Sequence, residues 1–415
     1  MVHSTDSFDA RAHFLTELAR RLHIAGVSAS RLEGAVVSTS RALGITCEIW
    51  SAPTGVLLSL GDAGDPRLPQ RTHVLRLEPG NVDLQALVTL NEIADAVIAG
   101  TLAPRDALLR LQTVDRPRTG GPARVVFAFG LAAAAVAGLF RTGWADVALA
   151  GVLGLMIGLI AVRAQKEPNL GAAMEALAAF VATVLASAFA HFVAPVSAQT
   201  VVIAAVIVLM PGLTLTTAMA ELASQQLVTG TTRFAGAIVV LLKLTFGSVA
   251  GTQLVNALGW TPMLNAPAPL PPAVEFVAAI AASYSFAVLF GAARRDYLLV
   301  MASALLGYVL TRVATHWHSL GDGTAFAGAV FFSSFVMAAL SNAYARITAR
   351  PGALVRLPGI MLMVPGSIGF RGLASVMQHD YVVGLDTAVA VMSALLALMA
   401  GLLFGSLIVP PRRFL

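Results

Sequence analysis

Residues 200–228 read TVVIAAVIVLMPGLTLTTAMAELASQQLV, an apolar stretch long enough to cross a bilayer but interrupted at Pro211-Gly212. Residues 353–377 read ALVRLPGIMLMVPGSIGFRGLASVM and are interrupted in the same way at Pro365-Gly366. Val208-Leu209-Met210-Pro211-Gly212 aligns with Leu362-Met363-Val364-Pro365-Gly366, and the register then holds without a gap. Ala220 falls on Ala374, Val228 on Val382, Gly230 on Gly384, Gly247 on Gly401 and Gly251 on Gly405, all at an offset of 154 residues. One recurring Pro-Gly pair is unremarkable; a whole series of small-residue landmarks in register is an internal repeat.

Outward from these two stretches, apolar segments continue in both directions. They run Val125–Phe140, Trp144–Val162, Leu170–Phe192, Thr200–Val228 and Phe234–Val255, then Ala273–Ala293, Tyr297–Val313, Thr324–Ala343, Ala353–Met377 and Leu385–Val409. Ten segments in two sets of five predict a polytopic all-α membrane protein. Because five is odd, the second set enters the bilayer from the opposite side, an inverted repeat. Composition agrees: 57% of residues are hydrophobic, 12% are charged against about 25% in soluble domains, and mean hydropathy is +0.79. The expected divisions are a soluble domain over 1–115, a linker over 116–124, membrane repeats over 125–256 and 273–415, and a Pro-rich loop over 257–272 between them.

Basic residues orient the spans. With the N-terminus inside, Arg116, Arg118, Arg124, Arg163, Lys166, Arg233, Arg294, Arg295, Arg346, Arg350, Arg356, Arg412 and Arg413 all fall on the cytoplasmic side. Only Arg141, Arg312 and Arg371 fall outside, and the Pro-rich loop has neither Lys nor Arg. This bias predicts both termini in the cytoplasm. The first residues lack an apolar run of the kind a signal peptide needs, so the N-terminal domain is expected on that same side.

Before residue 115 the periodicity is that of a small α+β domain. Phe14, Leu15, Leu18, Leu22 and Ile24 lie on one helical stripe, and Gly26 ends it. Ser28 or Ser30 caps a second helix to Leu43. Three short β-rich runs follow (Ile45–Trp50, Val56–Leu60 and Thr72–Leu77), then a helix capped by Asp83 and another opened by Pro104. His13, His23 and His73 are scattered, and the domain contains no catalytic constellation. Cys47 is alone, so no intrachain disulfide framework exists.

Inside the membrane segments the chemistry sits at the breaks. Pro removes an amide donor and Gly admits unusual dihedrals, so backbone polar groups are freed about a dozen residues into each stretch, near mid-bilayer. Such groups must face protein or a wet cavity, and paired broken helices commonly form a carboxylate site from their amides. A plain kink is the alternative. The candidate substrate residues are Pro211, Gly212, Thr214, Thr217, Pro365, Gly366 and Ser367, with Thr216 and Arg371 close by. Gly247/Gly251 and Gly401/Gly405 are close-approach patterns for helix packing. Ionisable residues within spans are functional candidates: Lys243, Glu221, Glu175 and Asp386. Glu175 and Asp386 fit interface positions; Lys243, deep in the fifth segment, is expected to pair with Glu221 and bias its pKa downward, the alternative being a purely structural ion pair.

Other function classes have little support. No H-E-x-x-H, G-x-S-x-G or G-x-x-x-x-G-K-[ST] occurs, which argues against a metalloprotease, a serine hydrolase and an ATP-driven pump. His316-x-His318 near Asp322 reads as a polar loop, not a metal site. The basic residues form no run interleaved with aromatics, so nucleic acid is not an expected partner. No cofactor is implied. A channel is left open, since broken helices also build filters, and so is a homo-oligomer.

These residues resemble the threonine/serine exporter family over nearly the whole chain. In the N-terminal domain the likeness rests on Leu22, Gly26, Ser28, Arg31, Glu33, Leu43-Gly44 and Pro53-Thr54. In the membrane it rests on Met210-Pro211-Gly212-Leu213-Thr214, Glu221, Gly230, Arg233, Arg350-Pro351 and Val364-Pro365-Gly366-Ser367. Glu221 stands where the family pattern has Asp. The resemblance implies a bacterial inner-membrane secondary transporter that exports small hydroxy amino acids, threonine and serine, on the proton motive force. It also places an acidic residue at Glu221, which is expected to carry the exchangeable proton. Some split-chain relatives are associated with dicarboxylate export, which makes succinate the alternative substrate.

Overall fold

A computed structural model describes residues 7–64, 69–114, 121–261, 269–318, 325–363, 366–377 and 379–411. Val364, Pro365, Asp322, most of the expected linker and part of the Pro-rich loop lie outside the described residues.

The N-terminal domain opens with α1 (Phe8–Ile24), capped by the Ser7 hydroxyl, and α2 (Ala29–Ala42). An antiparallel sheet follows in the order β1 (Ile45–Ala52), β2 (Gly55–Asp62), β3 (Arg71–Arg76). Ala52 pairs with Gly55, so Pro53-Thr54 is a two-residue hairpin turn. Helices α3 (Leu84–Ile98) and α4 (Pro104–Thr113) complete it; Asp83 accepts the Ala86 amide at 2.9 Å as the cap of α3. Phe14, Leu15, Leu18, Leu22, Leu32, Leu58, Leu60 and Leu90 are fully buried. Their cluster continues into the membrane part through Phe286, Phe290 and Leu354, so one apolar core crosses the junction.

The membrane part comprises α5 (Gly121–Leu139), α6 (Trp144–Ala164), α7 (Pro168–Phe192), α8 (Ala198–Ala205), α9 (Gly212–Ala223) and α10 (Leu227–Ala257). A second set follows: α11 (Pro272–Leu289), α12 (Tyr297–His318), α13 (Ala325–Thr348), α14 (Ala353–Met361), α15 (Gly366–Met377) and α16 (Tyr381–Ile408). Among the described residues nine helices are long and apolar enough to cross a membrane, or ten when the bent pair α8 and α9 counts as one span. Two boundaries differ from expectation. Helix α5 starts at Gly121, inside the expected linker, and the fourth segment stops at Ala223 because Gln225 adopts positive φ (65°), letting α10 begin at Leu227.

Helix bounds recur at the spacing of the sequence landmarks. Gly212–Ala223 and Gly366–Met377 are both 12 residues long, and α10 and α16 start at Leu227 and Tyr381, again 154 apart. Helix α7 packs on α10 as α13 packs on α16, while α9 touches α16 and α15 touches α10. The glycines explain the close crossings. A Cβ at Gly247 would stand 2.1 Å from the Ala176 carbonyl oxygen, and one at Gly405 would stand 2.5 Å from that of Phe335.

Candidate functional site

Helix α8 ends in a single 3-10 turn, Ile207–Leu209, and the chain bends by 50° before α9. Met210 precedes a proline, which disfavours helical backbone, and it is extended at φ −67°, ψ 130°. Pro211 then serves as the N-cap of α9; its carbonyl accepts the Leu215 amide at 2.9 Å, but it has no side chain to satisfy the orphan amides of the first turn. Thr216 donates its hydroxyl back to the Gly212 carbonyl at 3.1 Å.

The second break comes to the same place. A Cβ built on Gly366 would meet Met210 Cβ at 3.5 Å and Gly212 Cα at 3.6 Å, so α9 and α15 start side by side. They then diverge. Helix α9 ends at the soluble domain, where Glu221 reaches Ala29. Helix α15 runs toward the end of α5, where the Arg371 guanidinium lies 5.1 Å from the Phe140 ring centre. Two helix N-termini therefore converge on one point, and their dipoles favour an anion there. Pro211, Gly212 and Gly366 are buried at this junction, and Thr214 and Ser367 are half-buried beside it.

A cavity of about 210 Å³ lies between Leu213, next to the first break, and the soluble domain; Pro211, Gly212, Thr214, Gly366 and Ser367 are not among its lining residues. Leu213, Thr216, Thr217 and Glu221 of α9 form one wall, Arg356 and Ile360 of α14 another, and Ser28 and Arg31 of α2 the end. Sequence reasoning placed Thr217 and Glu221 here but not Arg31 or Arg356 as site residues. A visible signal existed for Arg356, which is an arginine embedded in the otherwise apolar run ALVRLPGIM.

Glu221 is 1% exposed and pairs with Arg233, Nε to Oε2 at 3.1 Å. Its other oxygen accepts the Ala29 amide at 3.1 Å, capping α2 in place of Ser28, whose hydroxyl makes no cap bond. Alongside, Glu33 accepts the Ser51 amide at 2.8 Å and the Gln226 side-chain amide at 2.9 Å, and Thr229 donates to the Ser51 carbonyl at 2.9 Å. Burial raises the Glu33 pKa above its ordinary value, against the pull of those two donors. The end of α3 docks similarly, with the Leu84 and Gln85 amides donating to Phe290 and Gly291.

The expected Glu221–Lys243 pair is not formed. Lys243 donates to the Ala172 carbonyl at 2.8 Å and pairs with Glu175 at 3.3 Å. The tight crossing at Gly247 and Ala176 decides this, since it sets Glu175 of α7 beside Lys243 of α10. Two buried aspartates make related contacts ahead of the broken helices: Asp146 accepts the Ser197 amide at 2.9 Å before α8, and Asp296 pairs with Arg350 at 2.8 Å before α14.

A polytopic helical membrane protein with two apposed helix breaks above a hydroxyl- and arginine-lined cavity is what this architecture defines. The chain belongs to the threonine/serine exporter family, in a fused two-part form: the description "Putative threonine/serine exporter" matches residues 13–255 and "Threonine/Serine exporter, ThrE" matches 275–408. Curated relatives include proteins called Pheromone-regulated membrane protein 10. The one from Debaryomyces hansenii is 27% identical over 91% of this chain and 37% of its own length. The Candida albicans (strain SC5314) protein is 27% identical over 93% and 34%, and the Saccharomyces cerevisiae (strain YJM789) protein 26% identical over 95% and 50%. The chain thus spans about a third to a half of the length of these relatives. No solved structure matches.

Proposed function

We propose that this protein is a secondary transporter that exports small hydroxy amino acids, threonine and serine, across the membrane, driven by protons. The apposition of Gly212 and Gly366 carries the reading, because it places two positive helix ends and the first turn of α9 at one buried point. In this reading the substrate carboxylate sits at the breaks around Pro211, Gly212, Pro365 and Gly366, held by first-turn amides beyond that of Gly212, which donates to the Met210 carbonyl at 2.8 Å, with hydroxyls from Thr214, Thr217 and Ser367. The ten spans form two inverted five-helix repeats, a reading supported by α9 and α15 running apart from a shared start, and alternating access exchanges the two halves' conformations. Glu221 carries the exchangeable proton. Lys243 keeps only the structural partner Glu175.

The soluble domain and both termini are cytoplasmic in this account, supported by Arg233, Arg295 and Arg350 clustering on the face where that domain docks. A cysteine replacing Trp144, on the opposite face, should then be labelled by an impermeant maleimide in intact cells, and one replacing Ile347 only after permeabilisation. The reverse pattern contradicts the orientation. Dicarboxylates are the second reading, favoured by two arginines lining the cavity. Exchange assays separate the substrates: labelled threonine should enter proteoliposomes preloaded with threonine or serine faster than vesicles preloaded with succinate. Equal exchange with all three, or none with any, defeats the amino-acid reading.

A further inference from the structure

The cavity beneath the breaks is built from both parts of the protein, and its charge is uneven. Among the described residues Glu221 is its only acidic lining residue, and that carboxylate is already engaged by Arg233 and by the Ala29 amide. Arg31 and Arg356 line the same space, and no ion pair joins Arg356 to a described residue. Both arginines stand in the first turn of a helix, Arg31 two residues after α2 begins and Arg356 three residues after α14 begins. A cation there opposes the helix dipole, and two guanidiniums around about 210 Å³ repel each other. Neither helix has a side-chain cap of its own: Ser28 makes no cap bond and Gly352 has no side chain. The Glu221 carboxylate already caps α2, so the open helix N-terminus at the cavity is that of α14, beside two guanidiniums and the hydroxyls of Ser28, Ser30, Thr216 and Thr217. A carboxylate in the cavity offsets the repulsion between the two guanidiniums and complements the first turn of α14.

We propose that Arg31 and Arg356 form a carboxylate-binding subsite on the soluble-domain side of the helix breaks, complete only when the soluble domain is docked. This rests on the transport reading above and adds a residue from outside the membrane bundle to the substrate path. A solute leaving the cytoplasm meets this subsite first, then moves along Thr217 and Thr216 toward Gly212. The N-terminal domain is in that case part of the binding site rather than an appendage. Burial pulls the Arg31 pKa to about 10, which leaves it charged at neutral pH.

The test uses the detergent-purified full chain and calorimetric titration with L-threonine, L-threoninamide, which lacks the carboxylate, and succinate. Arg31→Gln and Arg356→Gln should each weaken threonine binding tenfold or more, while the weaker threoninamide binding stays unchanged. The ligand-free Arg356→Gln protein should melt at or above the wild-type temperature, because a repulsion has been removed; a merely structural arginine would lower it. Threonine affinity within twofold of wild type in both well-folded variants overturns the subsite, as does an equal loss for threonine and threoninamide. If the wild type exchanges threonine and only the variants fail to behave as stated, the subsite falls alone. If the wild type binds neither threonine nor succinate, the transport reading falls with it.

Discussion

Glu221 Oε1 accepts the backbone amide of Ala29 at 3.1 Å, so a carboxylate on a membrane half-helix caps a helix of the soluble domain 192 residues earlier in the chain. With Arg233 on the other oxygen, the same group ties α9, α10 and α2 together. Proton carrier and interdomain fastener are one side chain in this account, so its protonation acts directly on how the domain docks.

Glu221→Gln leaves Arg233, 17% exposed, without its carboxylate. Breaking a buried pair from one side costs about 3–5 kcal/mol, and an amide caps a helix less well than a carboxylate. The variant should show a lower melting temperature and faster proteolysis within residues 7–64. Replacing both charges, Glu221→Gln with Arg233→Met, should recover much of the loss. An unchanged melting temperature in the single variant would show that the pair holds nothing together.

Position 366 gives a graded test of the apposed breaks. A single Cβ there meets its neighbours at 3.5–3.7 Å, ordinary contact, so Gly366→Ala should fold and retain exchange. The branched side chain of Gly366→Val presses on Met210 and Gly212; exchange should be lost while the protein still inserts and purifies as a single species. Full activity in Gly366→Val would mean that the two breaks are free to separate without consequence.

Lys243 and Glu175 are predicted to behave as a unit. Glu175→Gln leaves an ammonium within a span without its carboxylate, a cost of at least about 2.5 kcal/mol on insertion scales. Expression should fall in Glu175→Gln and recover in Glu175→Gln/Lys243→Met. Were Lys243 acting on Glu221 instead, Glu175→Gln would be silent.

Glu33 sets a pH dependence of known sign. An acid whose folded pKa is raised binds its proton more tightly when folded; its contribution is fully present below about 4.5 and is lost as pH rises through the folded value. Glu33→Gln keeps an acceptor for the Ser51 amide and removes the titration. Its melting temperature should match the wild type near pH 4.5 and exceed it at pH 7. A wild-type advantage that grows toward pH 7 would contradict this.

Much of the fold is written in local pattern. Asp83, Pro104 and Pro53-Thr54 sit where the cap, helix start and hairpin turn are found, and the Pro-Gly offset of 154 residues reappears in the bounds of α9 and α15. Pairing across helices was less legible. Nearness along the chain points Lys243 to Glu221, whereas packing joins it to Glu175, 68 residues away. The cue lay in small residues: Gly247 one turn after Lys243 and Ala176 next to Glu175 allow the close crossing that joins them. The Ser28 cap failed for a different reason. A serine before a helix is a sufficient local cap, and nothing local reveals that a carboxylate from another domain takes its place. Arg31 and Arg356 lie 325 residues apart and meet only because the soluble domain docks over α14.

The most direct test of the account is accumulation of labelled threonine in sealed proteoliposomes under an imposed pH gradient. Threonine should rise above its external concentration, fall back on addition of a protonophore, and fail to accumulate with Glu221→Gln/Arg233→Met, which lacks the titratable group but recovers the stability, although exchange persists. Entry that only equilibrates, indifferent to both the gradient and the protonophore, would identify a passive pore and contradict proton-driven transport.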